Sequence, residues 1–293
     1  MKYLHFIIGL ALFFGIRQFD ISAFDSSALG LALWMVYWWI SQPVPLYITA
    51  LLPIVVGVPL ELIPNDILAE SYGNQMIFLF LGGFILALGI EKWKLHEQIA
   101  FTILRLLGRT PQRILGGFMF STALLSMWIS NTATALMMLP IALSVIRAIP
   151  DFKEKRLFSV GLLLSIAFSA NIGGTATLIG TPPNIQMAGI LEQEFNFSIS
   201  FFEWFKIGTP FMLIMMVISY LFLRYFFVRN AHFQMDEIEV RKLDPNQKRV
   251  LYLFLTVVAL WMGRTVLNDF SPIVINDTVI ALSGAIVVYS AIN

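Results

Sequence analysis

Two uncharged polar clusters interrupt long apolar stretches of this 293-residue chain, and their residue types suit the binding of small ions. The first is Ser126-Met-Trp-Ile-Ser130-Asn131-Thr132-Ala-Thr134, in the middle of the apolar block Ile114–Ile149. A helix ending near Ser126–Ser130 leaves backbone carbonyls without intrahelical partners, and these suit a hard cation such as sodium. A helix starting near Asn131–Thr132 presents free N–H groups and the positive end of its dipole, which suit a carboxylate or other anion. The second cluster is Ser169-Ala-Asn171-Ile-Gly173-Gly174-Thr175-Ala-Thr177-Leu-Ile-Gly180-Thr181-Pro182-Pro183-Asn184. There Gly180 is placed to end a helix, Thr181 to cap a new one and Pro182 to occupy its first turn. A hydroxyl in an apolar helix can simply bond back to the preceding turn, and isolated Ser121 and Ser144 are read that way. Clustered at a break, the same groups point instead to a binding site at membrane depth, as in secondary transporters.

Missing groups narrow the chemistry further. No acid lies between Gln98 and Pro150, or between Arg156 and Leu191. The histidines His5, His96 and His232 fall at segment ends or in segments read as aqueous, and cysteine is absent. No Ser/His/Asp set, carboxylate pair or histidine cluster is therefore available for catalysis, and no catalytic residue is assigned. An anion here would be held by helix N-termini and hydroxyls rather than by a buried cationic clamp.

The elements that position these clusters follow from composition. The chain is 58% hydrophobic and only 13% charged, with a mean hydropathy of +0.80. Soluble domains carry about 25% charge, so a water-facing globule and a disordered chain are both excluded. Lys+Arg (19) nearly balance Asp+Glu (18), which gives no support to a nucleic-acid binder. The expected fold class is an all-α, polytopic integral membrane protein. Apolar segments at Leu4–Ile16, Leu29–Ile40, Leu46–Leu60 and Met76–Ile90 come first, and Gly82-Gly83 in the last permits close helix contact. Leu4–Ile16 reads as a retained helix rather than a signal peptide, because no small-x-small cleavage site follows it cleanly. Glu91–Arg109 is amphipathic, with Trp93, Leu95, Ile99, Ile103, Leu106 and Leu107 as its apolar residues; it suits the membrane interface, or a solvated connection.

Ile114–Ile149 follows, each of its arms short of the roughly 20 residues of a full span. It reads as a re-entrant hairpin, with two full spans and a tight external turn as the alternative. The broken block Leu157–Leu191 and the span Phe205–Phe227 come next. Arg229–Arg249 reads as a plain aqueous loop, and Val250–Leu267 and Thr278–Ala291 complete the set. With a cytoplasmic N-terminus, this order leaves only Arg17, Lys206 and Arg264 on the outer side. Lys92, Lys94, Arg105, Arg109, Arg113, Arg147, Lys153, Lys155, Arg156, Arg224 and Arg229 are among the cations gathered inside.

At its two breaks the sequence resembles the divalent anion:sodium symporter (DASS) family of di- and tricarboxylate and sulfate transporters. The stretch Ser126–Pro140 is similar to that family's first Ser-Asn-Thr hairpin, and Ser169–Asn184 to its broken fifth helix. The resemblance implies that Ser126, Ser130, Asn131 and Gly180 belong to a sodium site, and that Asn131, Thr132 and Thr181 contact substrate. It also implies a homodimer in the plasma (inner) membrane, moving its cargo by an elevator. Sodium is then the coupling ion and no organic cofactor is expected. The family pattern includes a second inverted repeat with its own Ser-Asn-Thr, and only one such run occurs here.

The expected organisation is therefore scaffold helices over 1–92, an interfacial helix over 93–110 and part of a transport domain over 111–228. The last comprises a hairpin (111–149), a broken helix (155–191) and a following helix (205–228). A cytoplasmic linker (229–249) and the start of a second repeat (250–293) complete it. The expected function is sodium-coupled symport of a di- or tricarboxylate. Sodium-independent exchange, sulfate transport, an arsenite- or antiporter-type pump and a non-transporting scaffold or receptor are the rivals.

Overall fold

A computed structural model describes residues 2–19, 25–149, 155–235, 241–270 and 275–292; Lys153 and linker residues 236–240 lie outside them. Among the described residues the chain is helical and has no strand. It divides into two compact units, Met1–Asn74 and Gln75–Asn293.

In the first unit, α1 (Lys2–Ile16) packs on α2 (Ser26–Ser41). Gly9 lies against the indoles of Trp34 and Trp38, where any Cβ would collide with them. Phe13, Leu31, Trp34, Trp38 and Leu52 form the core. Asp25 caps α2, accepting from the N–H groups of Ser27 and Ala28, and Gln42 ends it in the left-handed region. The predicted span Leu46–Leu60 is not one regular helix. It consists of a single α-turn, α3 (Leu46–Thr49), and a π-turn at Pro53–Gly57. Pro53 lacks the N–H that would continue α3, and Leu46–Gly57 reaches only about 18 Å at 1.5 Å per residue. A short amphiphilic helix, α4 (Asn65–Tyr72), ends this unit.

The second unit begins with α5 (Gln75–Lys92), which packs extensively against α13 (Asp277–Ile292). Gly82 makes that contact possible, since a Cβ there would sit 2.6 Å from that of Ala281, whereas a Cβ on Gly83 would sit 3.1 Å from Ile179. Lys94 adopts a left-handed conformation (φ 52°), so the amphipathic segment restarts as α6 (Leu95–Leu107). This helix buries Leu95, His96, Ala100 and Leu104, whereas Leu106 is 74% exposed. The predicted apolar face is therefore rotated. The i, i+4 spacing of His96, Ala100 and Leu104 puts the small Ala100 at the contact, and His96 is drawn into the core.

Next come α7 (Pro111–Ser126), α8 (Asn131–Ala148), α9 (Lys155–Gly174), α10 (Pro182–Phe195), α11 (Phe201–Leu223) and α12 (Pro245–Phe270). The α7–α9 pair is packed backbone to backbone, since a Cβ on Gly173 would meet the carbonyl oxygen of Ala123 at 2.5 Å. Ser200 and Glu203 form a capping box at the start of α11, which continues into a π-turn at Arg224–Val228. Among the described residues, five helical segments have the length and apolarity to cross a bilayer: Asn65–Lys92, Asn131–Ala148, Lys155–Gly174, Phe201–Val228 and Pro245–Phe270.

The predicted aqueous loop Arg229–Arg249 is packed at both described ends. Ala231 is buried, Phe233 meets the Phe158 ring edge-on at 5.1 Å, and the N–H of Met235 donates to the carbonyl of Arg109. At the far end the buried Gln247 donates through Nε2 to the Trp93 carbonyl at 2.9 Å. Sequence composition registers the charges of this segment, but not the apolar residues spaced between them.

Candidate functional site

The hairpin breaks within the first polar cluster. α7 ends at Ser126, and residues 127–130 carry the chain across the gap. Ser130 then caps α8, with its hydroxyl accepting from the Ala133 N–H at 3.4 Å and its carbonyl from the Thr134 N–H at 2.9 Å. The N–H groups of Asn131 and Thr132 stand at the first turn, where no preceding carbonyl of the helix can reach them.

The second break differs from expectation. α9 stops at Gly174, six residues before Gly180, and Gly180 does not occupy the left-handed region. Side-chain donors take over the carbonyl at the end of α9 and those of the three residues that follow it. Buried Asn184, on α10, sends Nδ2 back to the carbonyls of Gly174 (2.9 Å) and Thr177 (2.8 Å). Trp204 Nε1 donates to the Thr175 carbonyl at 3.0 Å, and Thr209 Oγ1 reaches the Ala176 carbonyl at 3.5 Å. The carbonyls of this break are thus already engaged; that of Thr177 accepts a second bond from the Gly180 N–H, and those of Gly174, Thr175 and Ala176 keep a second lone pair. Glycine at 180 is required by proximity, because its Cβ would collide with the Gly174 carbonyl. Thr181 takes the N-cap position with extended backbone but no side-chain capping bond, and Pro182 follows it.

The two breaks are joined directly. Thr177 Oγ1 donates to the carbonyl of Met127, in the hairpin gap. Ser126 Oγ lies 2.6 Å from the Ala170 carbonyl and 3.0 Å from Asn131 Oδ1. Its single proton serves one of these at a time, which leaves two oxygen acceptors side by side. Asn131 Nδ2 donates to Asn171 Oδ1 at 3.2 Å, and any Cβ on Gly174 would overlap the Asn131 carboxamide. Ser126, Asn131, Gly174 and Gly180 therefore form one continuous contact chain across both breaks.

Asn131 and Thr132 also line a cleft of about 400 Å³ between α8 and α9, together with Asn171 and the apolar Ala135, Leu139 and Ile166. No titratable side chain lines it. Among the described residues no group of three or more His, Cys, Asp or Glu could hold a metal. Thr181 and Ser130 are not part of the cleft lining. The structure thus brings Ser126, Asn131 and Gly180 together, puts Asn131 and Thr132 at one cleft, and leaves Thr181 and Ser130 as capping positions. Asn171, Thr177 and Asn184 are the polar groups that the sequence reading gave no role. All three stand in the Ser169–Asn184 run, but only folding shows which of them turn inward.

Trp128, in the hairpin gap, is held by rings from two other helices. It stacks on Phe201 (5.9 Å) and Trp261 (6.4 Å) and meets Phe254 edge-on at 5.0 Å. Trp261 Nε1 donates to the Asp277 carbonyl, and the Asp277 carboxylate accepts from the Phe201 N–H at 2.8 Å and faces Arg264 at 3.3 Å. An ion pair between the buried Asp277 and the partly exposed Arg264 thus stands behind the ring stack, outside the cleft.

Against this geometry, the CitMHS family, described as "Citrate transporter", matches residues 36–291. The chain belongs to this family. A sodium-dependent dicarboxylate transporter, SdcS, of Staphylococcus aureus strain USA300 is 39% identical over 253 residues, covering 80% of this chain and 48% of the relative. SdcS of strain NCTC 8325 / PS 47 shows the same identity and coverage. The chain spans about half the length of the curated relatives it matches. The family and these relatives are transporters, not enzymes, and family and helices together describe a multi-pass integral membrane protein. Both breaks lie inside the matched region.

Proposed function

We propose that this chain supplies one half of the ion and substrate path of a sodium-coupled symporter for di- or tricarboxylates. The observation that carries the reading is the contact chain Ser126–Asn131–Gly174–Gly180, which couples the two breaks to the cleft. Sodium is cargo here, taken up by the oxygens of Ser126, Ser130, Asn131 and Gly180. The anion then meets Asn131 and Thr132 at the start of α8, where free N–H groups and the positive dipole end favour negative charge, and the hydroxyl of Thr181 at the start of α10, where Pro182 and Pro183 carry no N–H. Bound sodium draws Asn131 Oδ1 toward the ion and orients its amide toward the cleft, so ion and anion share one residue. The likeness to the sodium-dependent dicarboxylate transporters of Staphylococcus aureus supports sodium and a dicarboxylate as the pair.

In this reading the protein is a homodimer of the plasma (inner) membrane with its N-terminus in the cytoplasm. The hairpin (111–149) is re-entrant and moves with the broken helix (155–191) past the scaffold helices (1–92), as in an elevator. The segment 250–293 opens a second repeat. The experiment is uptake of succinate into liposomes holding the protein as its gene encodes it, with sodium or potassium outside. Sodium-dependent uptake that collapses in Asn131→Ala is expected; unchanged uptake and sodium dependence in that variant would remove the site assignment.

One observation favours a second reading, sodium-independent anion exchange. The carbonyls of Gly174, Thr175, Ala176 and Thr177 already accept from protein donors, which reduces what they offer a cation. Uptake that persists in sodium-free buffer and depends on internal dicarboxylate would select it.

A further inference from the structure

The membrane-length helix Phe201–Val228 ends in a feature that the transport path does not use. Its last turn, Arg224–Val228, is a π-turn, a geometry that is rare in helices and frequent at functional positions. In an α-helix, side chains five residues apart point about 140° away from each other. A π-turn bonds i to i+5, so residues five apart come close to the same face. Arg224 and Arg229 are five apart and line one cavity of about 520 Å³, with Leu221, Tyr225 and Gln112. Arg229 also lies over the Tyr225 ring, 5.5 Å from its centre, and borders a second, smaller cavity beside Phe226 and Asn230. The cavity is pinned to α7, because Tyr220 Oη donates to the Gln112 carbonyl and Gln112 Nε2 reaches the Val228 carbonyl. Among the described residues neither Arg224 nor Arg229 pairs with an acid, and no acid lines either cavity.

Two guanidinium groups facing one cavity make a fork for an oxyanion with several acceptor oxygens, and phosphate is the group that such forks hold bidentately. The surroundings identify what carries the phosphate. Leu221, Phe222, Tyr225 and Phe226 are each about half exposed beside the arginines, on a helix apolar enough to face lipid. Apolar surface leading up to a pair of cations at a helix end fits an acyl chain below its headgroup, and basic pockets between transmembrane helices bind anionic lipids. We infer that Arg224 and Arg229, with Gln112 and Tyr225, form a binding site for the phosphate of an anionic glycerophospholipid. The inference rests on the multi-pass membrane placement and is independent of which substrate the protein carries.

The test is native mass spectrometry of the protein released from nanodiscs of mixed phosphatidylglycerol and phosphatidylcholine. Wild type should retain phosphatidylglycerol over phosphatidylcholine by about tenfold or more, as expected for two basic side chains at a lipid surface. R224Q/R229Q should lose that preference, whereas R241Q/K242Q, which removes the same charge elsewhere, should keep it. If the double variant does not yield folded protein, R229Q alone, altering an exposed side chain, should lower the preference severalfold. Equal preference in wild type and R224Q/R229Q, or equal loss in R241Q/K242Q, overturns the site. A parallel thermal-shift titration with inorganic phosphate separates the source. Stabilisation by free phosphate as large as that by phosphatidylglycerol would overturn the lipid assignment in favour of a soluble phosphate.

Discussion

Asn184 is the residue whose removal most sharply tests how the broken helix is held. It is buried (7% exposed) and its one amide group donates to the carbonyls of both Gly174 and Thr177, at 2.9 and 2.8 Å. Side-chain hydrogen bonds within membrane proteins average about 0.6 kcal/mol and reach about 1.7 kcal/mol. Leaving a buried acceptor unpaired adds roughly 1–3 kcal/mol. Asn184→Ala removes both bonds and strands the Gly174 carbonyl, while that of Thr177 keeps the Gly180 N–H, so a loss of about 2–3 kcal/mol is expected. Asn184→Asp should be worse than alanine, because it replaces the donor with an acceptor facing two acceptors. Equilibrium unfolding in mixed detergent micelles reads the stability directly.

A second assay exploits the cysteine-free sequence. A single cysteine at the buried Ala176, inside the break, reports local opening through its maleimide labelling rate. A 2 kcal/mol loss corresponds to about a thirtyfold faster rate when closing outpaces labelling. An Asn184→Ala variant within about 0.5 kcal/mol of wild type, or an aspartate variant more stable than the alanine one, would refute this account of the break.

Further outcomes follow from neighbouring features. Gly180→Ala forces a Cβ onto the Gly174 carbonyl and should cost about 1–3 kcal/mol in the same unfolding assay. By contrast, Gly263→Ala, in α12 with nothing within 4 Å of the new methyl, should be neutral or stabilising by up to about 1 kcal/mol. Trp128→Leu removes one edge-on and two stacked ring contacts and should lower stability by about 2 kcal/mol or more. Burial holds the pKa of His96 below the ordinary histidine value of 6.5, so as pH falls the unfolded chain takes up the proton first. The stability linked to this histidine is therefore complete above about pH 7 and declines as pH drops through 6.5. The acid side of a thermal-stability profile should flatten in His96→Leu; an unchanged pH dependence would remove His96 as its source.

The parts of the site set by local chemistry were legible in the sequence. A Ser-Asn-Thr run with no charge nearby locates the hairpin gap, and α8 begins at Asn131 behind a Ser130 cap. A proline pair after Thr181 likewise marks where α10 restarts. The end of α9 was not legible, because it depends on donors from elsewhere. Asn184 lies ten residues beyond the carbonyl it caps, and Trp204 twenty-nine beyond Thr175. The same limit explains α6. Hydrophobic residues alone suggest one face, whereas packing selects the face where Ala100 allows close approach and takes His96 with it. The π-turn at Arg224–Val228 also has no local signature, and it is what puts two arginines on one cavity.

In the proposed mechanism the two breaks form one sodium-organised anion site around Asn131. Thr132, exposed in the cleft beside it, offers the most direct probe. In the protein as its gene encodes it, carrying Thr132→Cys, maleimide labelling is to be measured in potassium, in sodium, and in sodium with succinate. Labelling should slow in sodium and slow further with succinate, and both effects should vanish when Asn131→Ala is added. Equal rates in sodium and potassium, with or without succinate, would contradict the account.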